Sequence, residues 1–443
     1  MPRLTVIREK ILQHLRPTPT ENNQVEKTFE HIKEAVEQTL RKQQLEVSFI
    51  RLEGSAGRKQ THLHNKKELD IFIGLPPSSI PKTLESSKAA KSVLRKFLKK
   101  KVRDVTVKAA KLAGCKDIKI AYAEHPYVTS TLDDFVIDLV FCFDLSQEYI
   151  SDKGPITAVD RTPHHSRFVD DNLTITQRDD VRLLKAFFQT CWVYGDKSPV
   201  GRSGFTGFSA EILIYHWKNI ENVLKNLKML QSQPLDFFVR SDEELMQRFR
   251  KDLLVIIDPT DSKRNAAASI SKRAYRYACY TASQVLQNPS PRFFLTKPIP
   301  ILSPQKEAKL EPSYFVFEYE DETGWHYTKI RDKLYRYFTS LCRYLEWETT
   351  RVPRFGFSTF EGVFNGTTFA IALFVTHPLI SQKYYRNGPP PNLKVAVRRF
   401  LQKHPTAFLH DDRYRVELTR PYIEAKAAIH QYLNKHTLTP KLS

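Results

Sequence analysis

A strand-like run of apolar residues that opens with two acids constrains this chain more than any other feature of its sequence. Glu68-Leu69-Asp70 leads into the run Leu69 to Gly74, which is typical of a buried strand. Side chains two residues apart on a strand point to the same face, so Glu68 and Asp70 project together. Two like charges held so close repel each other and require a compensating cation. The fold must therefore bring positive charge to the start of this strand.

A third acid lies in a second apolar run. Asp138 has bulky neighbours throughout Phe135 to Phe143, and a carboxylate is costly to bury there without a partner. On neighbouring strands, Glu68, Asp70 and Asp138 would form an oxygen cage suited to Mg²⁺ and wide enough for two ions. Two alternatives stay open: the first two acids are solvated at a strand end, or Asp138 forms a salt bridge with an arginine.

A glycine-serine turn precedes the paired acids. Gly54-Ser55 ends a strand predicted over residues 45–53. Glycine lets the backbone approach a ligand closely, and successive N–H groups can surround phosphate oxygens. Ser55 adds a hydroxyl donor, and Arg58 adds a fixed positive charge. The order of strand, turn, strand with two acids and later strand with a third acid is the layout of a nucleotidyltransferase palm.

The net charge indicates the class of partner. Of 443 residues, 69 are Lys or Arg and 49 are Asp or Glu, which gives a formal charge of +20. Such a surplus favours a large polyanion, nucleic acid first. The longest apolar run, Phe369 to Val375, is far shorter than the ~20 residues that span a bilayer, so no membrane partner is expected. The absence of a secretory signal and five scattered cysteines without a C-x-x-C pair predict a cytoplasmic protein.

Periodicity predicts an α+β protein of three domains. Residues 1–150 form a mixed-sheet head, residues 151–286 a mainly helical neck, and residues 287–443 an α+β body with a tail. Prolines at 289, 291, 298 and 300 mark a linker before the third domain. That domain is predicted to be ferredoxin- or RRM-like from the following order: strand 314–319, helix 327–345, strand 352–359, strand 369–376, helix 393–404, strand 413–418.

A basic helical stretch follows the paired acids. Between Lys82 and Lys119 there are thirteen Lys or Arg and three Asp or Glu. One interpretation is a solvated helix face, and the other is an RNA-facing wall beside the active site. The sequence leaves both open.

Longer motifs accompany the acids and the turn. They are AEHPYV at 123–128, AVDRTPHH at 158–165, VRLLK at 181–185 with Tyr194-Gly195 beyond, RSGFTGF at 202–208, DPTDSKRN at 258–265 and RNGPP at 386–390. With these motifs the chain resembles the class I, archaeal-type CCA-adding enzymes, which are tRNA nucleotidyltransferases. The resemblance covers nearly the whole length, and it implies that the head is the catalytic palm, that the neck recognises the nucleotide base and that the body and tail bind tRNA.

The resemblance implies roles for particular residues. It implies that the metal carboxylates are Glu68, Asp70 and Asp138, that the triphosphate turn contains Gly54, Ser55 and Arg58, that further nucleotide contacts come from His165, Lys185 and Tyr194, and that the base-reading residue is Arg264. Two departures from the family pattern concern the loop 59–65, which is one residue longer and lacks a glycine, and Ser166, which stands where a second histidine is common.

Each of these residues also has an ordinary structural interpretation. His165 can be a satisfied core histidine, with His164 as the rival nucleotide ligand. Lys185 can extend its stem along an apolar helix face, and Tyr194 can pack in a core. Arg264 can be a solvated charge. These alternatives stay open at the level of sequence.

The resemblance also implies an activity. It implies template-independent addition of C, C and A to the 3′ end of tRNA from CTP and ATP, with two Mg²⁺ ions, release of pyrophosphate and a C-terminal region that binds the acceptor arm. A poly(A) polymerase or an oligoadenylate synthetase shares the palm and the acids and is the alternative enzyme. A non-catalytic RNA-binding relative is the alternative from another class. The sequence leaves the oligomeric state open, a homodimer included.

Overall fold

The structure, a computed structural model, describes most of the chain. The described residues are 4–79, 97–122, 126–191, 193–197, 202–295, 313–320, 327–364, 368–435 and 441–442. The chain divides into two compact units, Met1–Gly195 with Gly204–Pro298 and Asp196–Ser203 with Ile299–Ser443. In the described part, no helix combines the length and the apolar character needed to cross a membrane.

The first unit combines a sheet with many helices. Its helices are α1 Leu4–Leu15, α2 Pro19–Lys42, α3 Val107–Leu112, α4 Gln147–Lys153, α5 Thr162–Asn172, α6 Ile175–Thr190, α7 Gly207–Trp217, α8 Ile220–Asn226, α9 Asp242–Arg248, α10 Lys272–Gln287 and α11 Arg292–Leu295. Its strands are β1 Phe49–Glu53, β2 Glu68–Leu75, β3 Lys116–Tyr122, β4 Pro126–Leu132 and β5 Phe135–Phe143, with the short pair β8 Ile257–Asp258 and β9 Asp261–Asn265. The hairpin β6 Asp196–Lys197 and β7 Arg202–Ser203 is assigned to the second unit.

The five-stranded sheet has the order β1-β2-β5-β4-β3. β2 and β5 are parallel, and the other neighbours are antiparallel, so the sheet is mixed as predicted. Leu69, Ile71 and Ile73 of β2 face a core that includes Val36 of α2. The residues between them, Asp70 and Phe72, therefore face the other side.

Helix α2 illustrates how local sequence positions this core. Thr18 and Glu21 form a capping box at its start, and Pro19 occupies the first turn, where its missing N–H costs nothing. The apolar stripe predicted from the sequence is buried at Val25 and Ile32. The helix therefore covers the face of the sheet opposite to Asp70.

The basic stretch after β2 lies on that covered face too. Leu98, Val105 and Ala109 pack in the same core as Ile71. The interpretation of an RNA-facing wall beside the acids is therefore wrong for residues 97–112, because the sheet separates them from Asp70. Residues 82–96 of the stretch lie outside the described residues.

A second core of the first unit is helical. Helices α1, α6, α7, α8, α10 and α11 all contribute to it. Within it the ring of Phe188 stacks on that of Phe205, with 4.2 Å between the ring centroids. Phe294 of α11 is also buried here, within the stretch in which prolines predict a linker. The packing of this core positions α6 and α7, whose polar side chains reach the loop before β2.

The second unit is built around a four-stranded antiparallel sheet. Its further elements are β10 Tyr314–Glu320, α12 Tyr327–Glu346, β11 Ser358–Phe364, β12 Thr368–Val375, β13 Lys383–Asn387, α13 Lys394–Lys403, β14 Phe408–His410, β15 Arg413–Thr419, α14 Ala425–Asn434 and β16 Lys441–Leu442. The sheet has the order β11-β12-β10-β16, and α12 and α14 share its core. This is the strand order of a β-α-β-β-α-β unit, in which β16 is the fourth strand.

Two details of the prediction for this unit are wrong. The predicted helix 393–404 and strand 413–418 do not complete the four-stranded sheet, because β13, β14 and β15 form a separate sheet of order β13-β15-β14. The strand predicted at 352–359 begins only at Ser358. The chain between Val375 and Ala425 is therefore an insertion into the β-α-β-β-α-β unit. Periodicity alone could not distinguish the helix and strands of this insertion from the last helix and strand of the unit.

Candidate active site

A row of polar side chains crosses the uncovered face of the five-stranded sheet. Asp70 on β2 pairs in register with Asp138 on the parallel strand β5. Glu53 on β1 is the partner of Asp70, and Thr129 on β4 is the partner of Asp138. Paired residues of adjacent strands point to the same side. Glu68, two residues before Asp70, shares this face.

The glycine of the turn is required by its surroundings. Gly54 has φ of +66°, the left-handed region that glycine adopts without strain. A Cβ at this position would overlap the Oδ2 atom of Asp70. The turn therefore lies directly against the carboxylate of Asp70.

The two central acids are incompletely compensated. Burial raises the pKa of Asp70; the charges of Lys66 and Lys59 oppose this effect, and the charge of Glu68 adds to it. Burial also raises the pKa of Asp138, which Asp70 and Glu68 raise further against a hydrogen bond from Thr129. The Oδ1 atom of Asp138 is buried and has no hydrogen-bond partner among the described residues. This incompletely compensated negative charge fits a bound cation.

Glu68 is differently placed. Its side chain is 60% exposed and forms an ion pair of 3.0 Å with Lys66. Among the described residues, no three acids, histidines or cysteines stand close enough together to hold a metal ion as they are placed. Asp70 and Asp138 thus stand side by side and could hold a cation, whereas Glu68 would have to leave Lys66 to join them.

The longer loop before β2 has a defined conformation. The carbonyl of Ser55 accepts hydrogen bonds from the backbone N–H groups of Thr61 and His62, at 2.9 and 3.1 Å. Arg182 on α6 donates to the carbonyls of Gln60 and His62. Asn65 has φ of +60°, and asparagine tolerates this conformation better than most residues. The loop therefore does without a glycine and is fixed by α6.

A buried cluster of opposite charges lies beside this loop. Glu211 of α7 accepts hydrogen bonds from Lys59 at 2.8 Å, from Thr61 at 2.7 Å and from Lys185 of α6 at 3.1 Å. The two lysines lower the pKa of Glu211 to about 2, despite its burial. Burial lowers the pKa of Lys185 to about 8. The cluster holds two positive charges and one negative charge.

Tyr194 lies at the edge of this cluster. A Cβ on Gly207, the first residue of α7, would stand 3.1 Å from the Tyr194 hydroxyl and 3.6 Å from the Lys185 ammonium. Burial raises the pKa of Tyr194, so its hydroxyl keeps its proton and can donate. The structure thus brings Lys185 and Tyr194 together at the start of a helix, where anions are favoured.

A third group joins His165 and Arg264. Asp258 accepts hydrogen bonds through Oδ2 from His165 at 2.8 Å and from Arg264 at 2.9 Å. Its other oxygen accepts from the backbone and hydroxyl of Thr260. Burial lowers the pKa of His165 to about 4, so the imidazole is neutral, and its ring stacks on Phe208 with 3.7 Å between centroids. Arg264 is therefore held in one orientation, with its side chain 34% exposed.

Arg58 stands apart from these groups. Its guanidinium is 48% exposed and donates to Asp170 of α5 at 2.5 Å. In this arrangement its charge is directed towards α5 rather than towards the lysine cluster. His164, the rival to His165, contacts the carbonyl of Leu145 through its Nε2 atom and is held in the core by that contact.

Sequence reasoning missed three residues of the site. Lys59, Glu211 and Asp258 were given no role, although Asp258 opens a quoted motif. A signal existed for Glu211, because it is the only acid in the apolar helix Gly207–Trp217. Asp138 stands out in the same way as the only acid in its strand. Lys59 had no such signal, since its sequence neighbours are polar.

Comparisons with known proteins agree on one family. The profile described as "tRNA nucleotidyltransferase, second domain" matches residues 179–295. The CCA-adding enzyme of Saccharolobus islandicus is 28% identical over 418 residues, which cover 92% of this chain and 87% of that protein. That of Pyrobaculum islandicum is 27% identical over 96% of this chain and 93% of its own length. That of Methanosarcina mazei is 26% identical, over 96% and 88%.

Similarity to solved structures is weaker. A structure titled "Structural Basis for the Activity of a Cytoplasmic RNA Terminal U-transferase" is 11% identical, with a TM-score of 0.48, and the match covers 67% of this chain and 99% of that one. Such a likeness adds nothing to the family assignment, which rests on the sequence relatives.

The acids on adjacent strands, the glycine turn against them and the matching helical domain define a nucleotidyltransferase. Within that class, the relatives that cover nearly the whole chain identify its family. The chain belongs to the class I, archaeal-type CCA-adding enzymes.

Proposed function

We propose that this protein adds C, C and A to the 3′ end of tRNA without a nucleic-acid template. CTP and ATP supply the nucleotides, and pyrophosphate is released. The observation that carries the proposal is the in-register pair Asp70 and Asp138, with the Gly54 turn against it and the lysine cluster beside it. This arrangement offers a cation site next to a phosphate site, which nucleotidyl transfer requires.

The acids hold the reacting groups. Divalent metal would be held by Asp70, Asp138 and Glu68. The sequence predicts that the metal is Mg²⁺ and that two ions bind. Such ions would supply a Lewis acid for the 3′-hydroxyl and a counter-charge for the departing pyrophosphate. In this proposal Asp138 accepts the proton of the 3′-hydroxyl, because its buried Oδ1 atom lacks any donor among the described residues.

The remaining groups position the nucleotide. Ser55 and the Gly54 backbone, with Lys185 and Tyr194, line the triphosphate side, and Arg58 reaches the same side when it leaves Asp170. His165 fixes Asp258, which orients Arg264. Arg264 uses a single N–H on Asp258 among the described residues, so its other donors can meet acceptors on cytosine or adenine.

The C-terminal region binds the acceptor arm of tRNA in this proposal. On β13, Lys383, Tyr385 and Asn387 are exposed, and α13 exposes four basic residues, which are Lys394, Arg398, Arg399 and Lys403. Charge and rings of this kind can bind the backbone of an A-form helix without reading its sequence. The affinity for tRNA is expected to fall steeply with salt, because phosphate contacts release counterions.

The test is a nucleotide-incorporation assay. Purified protein is incubated with Mg²⁺, tRNA that lacks its 3′ CCA and labelled CTP or ATP. The proposal expects two C residues from CTP alone and one further A when both nucleotides are present. Transfer RNA that already ends in CCA is the control and accepts no label. A poly(A) product from ATP alone would instead identify a poly(A) polymerase, and binding of tRNA without incorporation would identify a non-catalytic relative.

A further inference from the structure

The hairpin that carries Arg264 has a buried acid on each side of its turn. The hairpin consists of β8 and β9, and Asp258 at the end of β8 is the cross-strand partner of Asp261 at the start of β9. Both acids are buried. Asp258 binds His165 and Arg264. Asp261 binds a different residue, which gives the hairpin a second point of attachment.

That residue is Arg161. Its Nε donates to Asp261 at 2.7 Å, and the other oxygen of Asp261 accepts from the backbone N–H of Lys263 at 2.9 Å. Arg161 ends the 3₁₀ turn Ala158–Arg161, which leads directly into α5, so it precedes His165 by four residues, or about one helical turn. The start of α5 therefore binds both strands of the hairpin, through His165 and through Arg161.

The residue before Arg161 is attached to the strand that carries Asp138. Asp160 is buried and accepts a hydrogen bond at 2.8 Å from the backbone N–H of Phe143, the last residue of β5. It also accepts from the backbone N–H and the hydroxyl of Thr157. A continuous series of polar contacts therefore joins β5 to the Arg264 hairpin through residues 160, 161 and 261.

Two points of attachment constrain the hairpin more than one. A single contact at Asp258 leaves the hairpin free to rotate about that contact, and a second contact on the other strand removes this freedom. A buried ion pair contributes little net stability when it is compared with well-packed apolar residues of similar volume. The effect of the Arg161 pair is therefore sought in the geometry of the hairpin, and Arg264 is the exposed end of that geometry.

We propose that Arg161 is a positioning residue for the choice of nucleotide. It holds Asp261 and thereby the hairpin on which Arg264 reads the base, and it does not itself touch the nucleotide. The inference rests on the proposed function and deepens it, because it concerns how the same site distinguishes cytosine from adenine.

Two variants remove the contact from opposite sides. Arg161→Met removes the guanidinium and keeps a long side chain, whereas Asp261→Asn keeps the shape of the acid and an oxygen for the Lys263 N–H. The measurement is kcat/KM for the correct and the incorrect nucleotide, with tRNA that lacks CCA for the addition of C and tRNA that ends in CC for the addition of A. The ratio of the two values is the selectivity. Thermal unfolding of the full chain is followed in parallel.

We expect the selectivity to fall about threefold in each variant, as the loss of one contact in a coupled group implies. The effect stays moderate because two other contacts join the hairpin to α4: Gln147 donates to the carbonyl of Thr260, and Lys263 donates to that of Asp152. KM for the correct nucleotide should change less than the selectivity. Unchanged selectivity in Asp261→Asn would overturn the proposal even if Arg161→Met fails to fold.

The ion pair of Arg8 with Asp180 provides a matched control. Arg8 also donates to its acid through Nε, at 3.2 Å, and the side chains are 18% and 5% exposed, against 16% and 1% for Arg161 and Asp261. Arg8→Met should lower the unfolding temperature about as much as Arg161→Met and keep the selectivity of the wild type. A merely structural role of Arg161 would give both variants the same selectivity, and that result would refute the proposal.

A double variant shows whether Arg161 acts through Arg264. Arg161→Met with Arg264→Ala should select no worse than Arg264→Ala alone, because the hairpin then carries no base-reading group to position. A further loss would show that Arg161 acts independently and would contradict the positioning role. Wild-type protein that incorporates neither C nor A would refute the proposed function itself, which separates the two failures.

Discussion

The acid row and the lysine cluster of the first unit are built on opposite principles. In the acid row, Asp70 and Asp138 repel each other, and one carboxylate oxygen has no hydrogen-bond partner among the described residues. In the lysine cluster, Glu211 pairs with two ammoniums and a hydroxyl. The first group is incomplete without a ligand, and the second is nearly complete by itself.

This difference indicates how the site divides its work. Unpaired buried charge costs folding free energy and is kept where a ligand will compensate it. A paired buried cluster holds its members in one geometry but has little capacity left for a ligand. The acid row is therefore expected to control activity, and the lysine cluster to control mainly stability.

Substitution of Asp138 should have the largest effect. Asp138→Ala is expected to lower nucleotide incorporation about a thousandfold or more, since the loss of a metal-binding carboxylate removes several kcal/mol of transition-state stabilisation. The unfolding temperature should stay equal or rise, because a repelled charge is gone. Incorporation and thermal unfolding measure the two effects. Asp138→Asn keeps the shape as control, and normal turnover in either variant would contradict the acid assignment.

Substitution of Glu211 should lower the stability of the protein, whereas substitution of Asp138 should lower its activity. Glu211→Gln is expected to lower the free energy of unfolding by about 3 kcal/mol, because two buried ammoniums lose their common anion. Chemical denaturation at neutral pH measures this change. The exposed ion pair of Lys225 with Glu221 provides a control, and Glu221→Gln should cost well under 1 kcal/mol. Equal costs in both variants would remove the contrast between the two groups.

His62 in the loop sharpens the comparison, because it is buried and its ring nitrogens have no hydrogen-bond partner among the described residues. Burial lowers its pKa to about 4. The folded state therefore resists protonation that the unfolded state accepts below pH 6.5, so stability is lost as pH falls from 6.5 towards 4.

At pH 5 this linkage amounts to about 2 kcal/mol. His62→Leu should remove that part of the pH dependence, as denaturation curves at pH 7 and pH 5 would show. Other buried histidines remain in the variant and cancel in the comparison. A variant with the same loss of stability as wild type would show that His62 is protonated in the folded state.

Substitution of Arg264 should have the smallest effect. Arg264→Ala is expected to reduce the preference for the correct nucleotide about fivefold, or about 1 kcal/mol, while triphosphate affinity changes less. Competition between CTP and ATP at each addition step measures the preference. Arg240 binds Asp236 and the carbonyl of Ser262. Arg240→Ala is therefore a control for the loss of an arginine near β9, and unchanged selectivity in Arg264→Ala would reject the base-reading role.

Much of the acid row was predictable from local pattern. The alternation in β2 placed Glu68 and Asp70 on one face, and the isolated acid in β5 stood out among apolar neighbours. The ends of β5 coincide with the predicted run. These predictions succeeded because the period of a strand is two residues and needs no knowledge of partners.

Other features depended on contacts between distant residues. Lys59 and Glu211 are separated by 152 positions, and no local pattern joins them. The basic stretch has the composition of an RNA-binding face, yet its described helix covers the back of the sheet. The last strand of the second unit is a two-residue segment, too short for any periodicity to predict.

The amino-acid sequence by itself therefore determined which residues share a strand face, where glycine is needed and to which family the chain belongs. The tertiary structure decided that Asp70 meets Asp138 in register, that Asp258 joins His165 to Arg264, and that Lys59 and Lys185 share Glu211 as their hydrogen-bond acceptor. The physical reason is range: side-chain direction follows from neighbouring residues, whereas a hydrogen-bond count depends on every group that folding brings within about 3 Å.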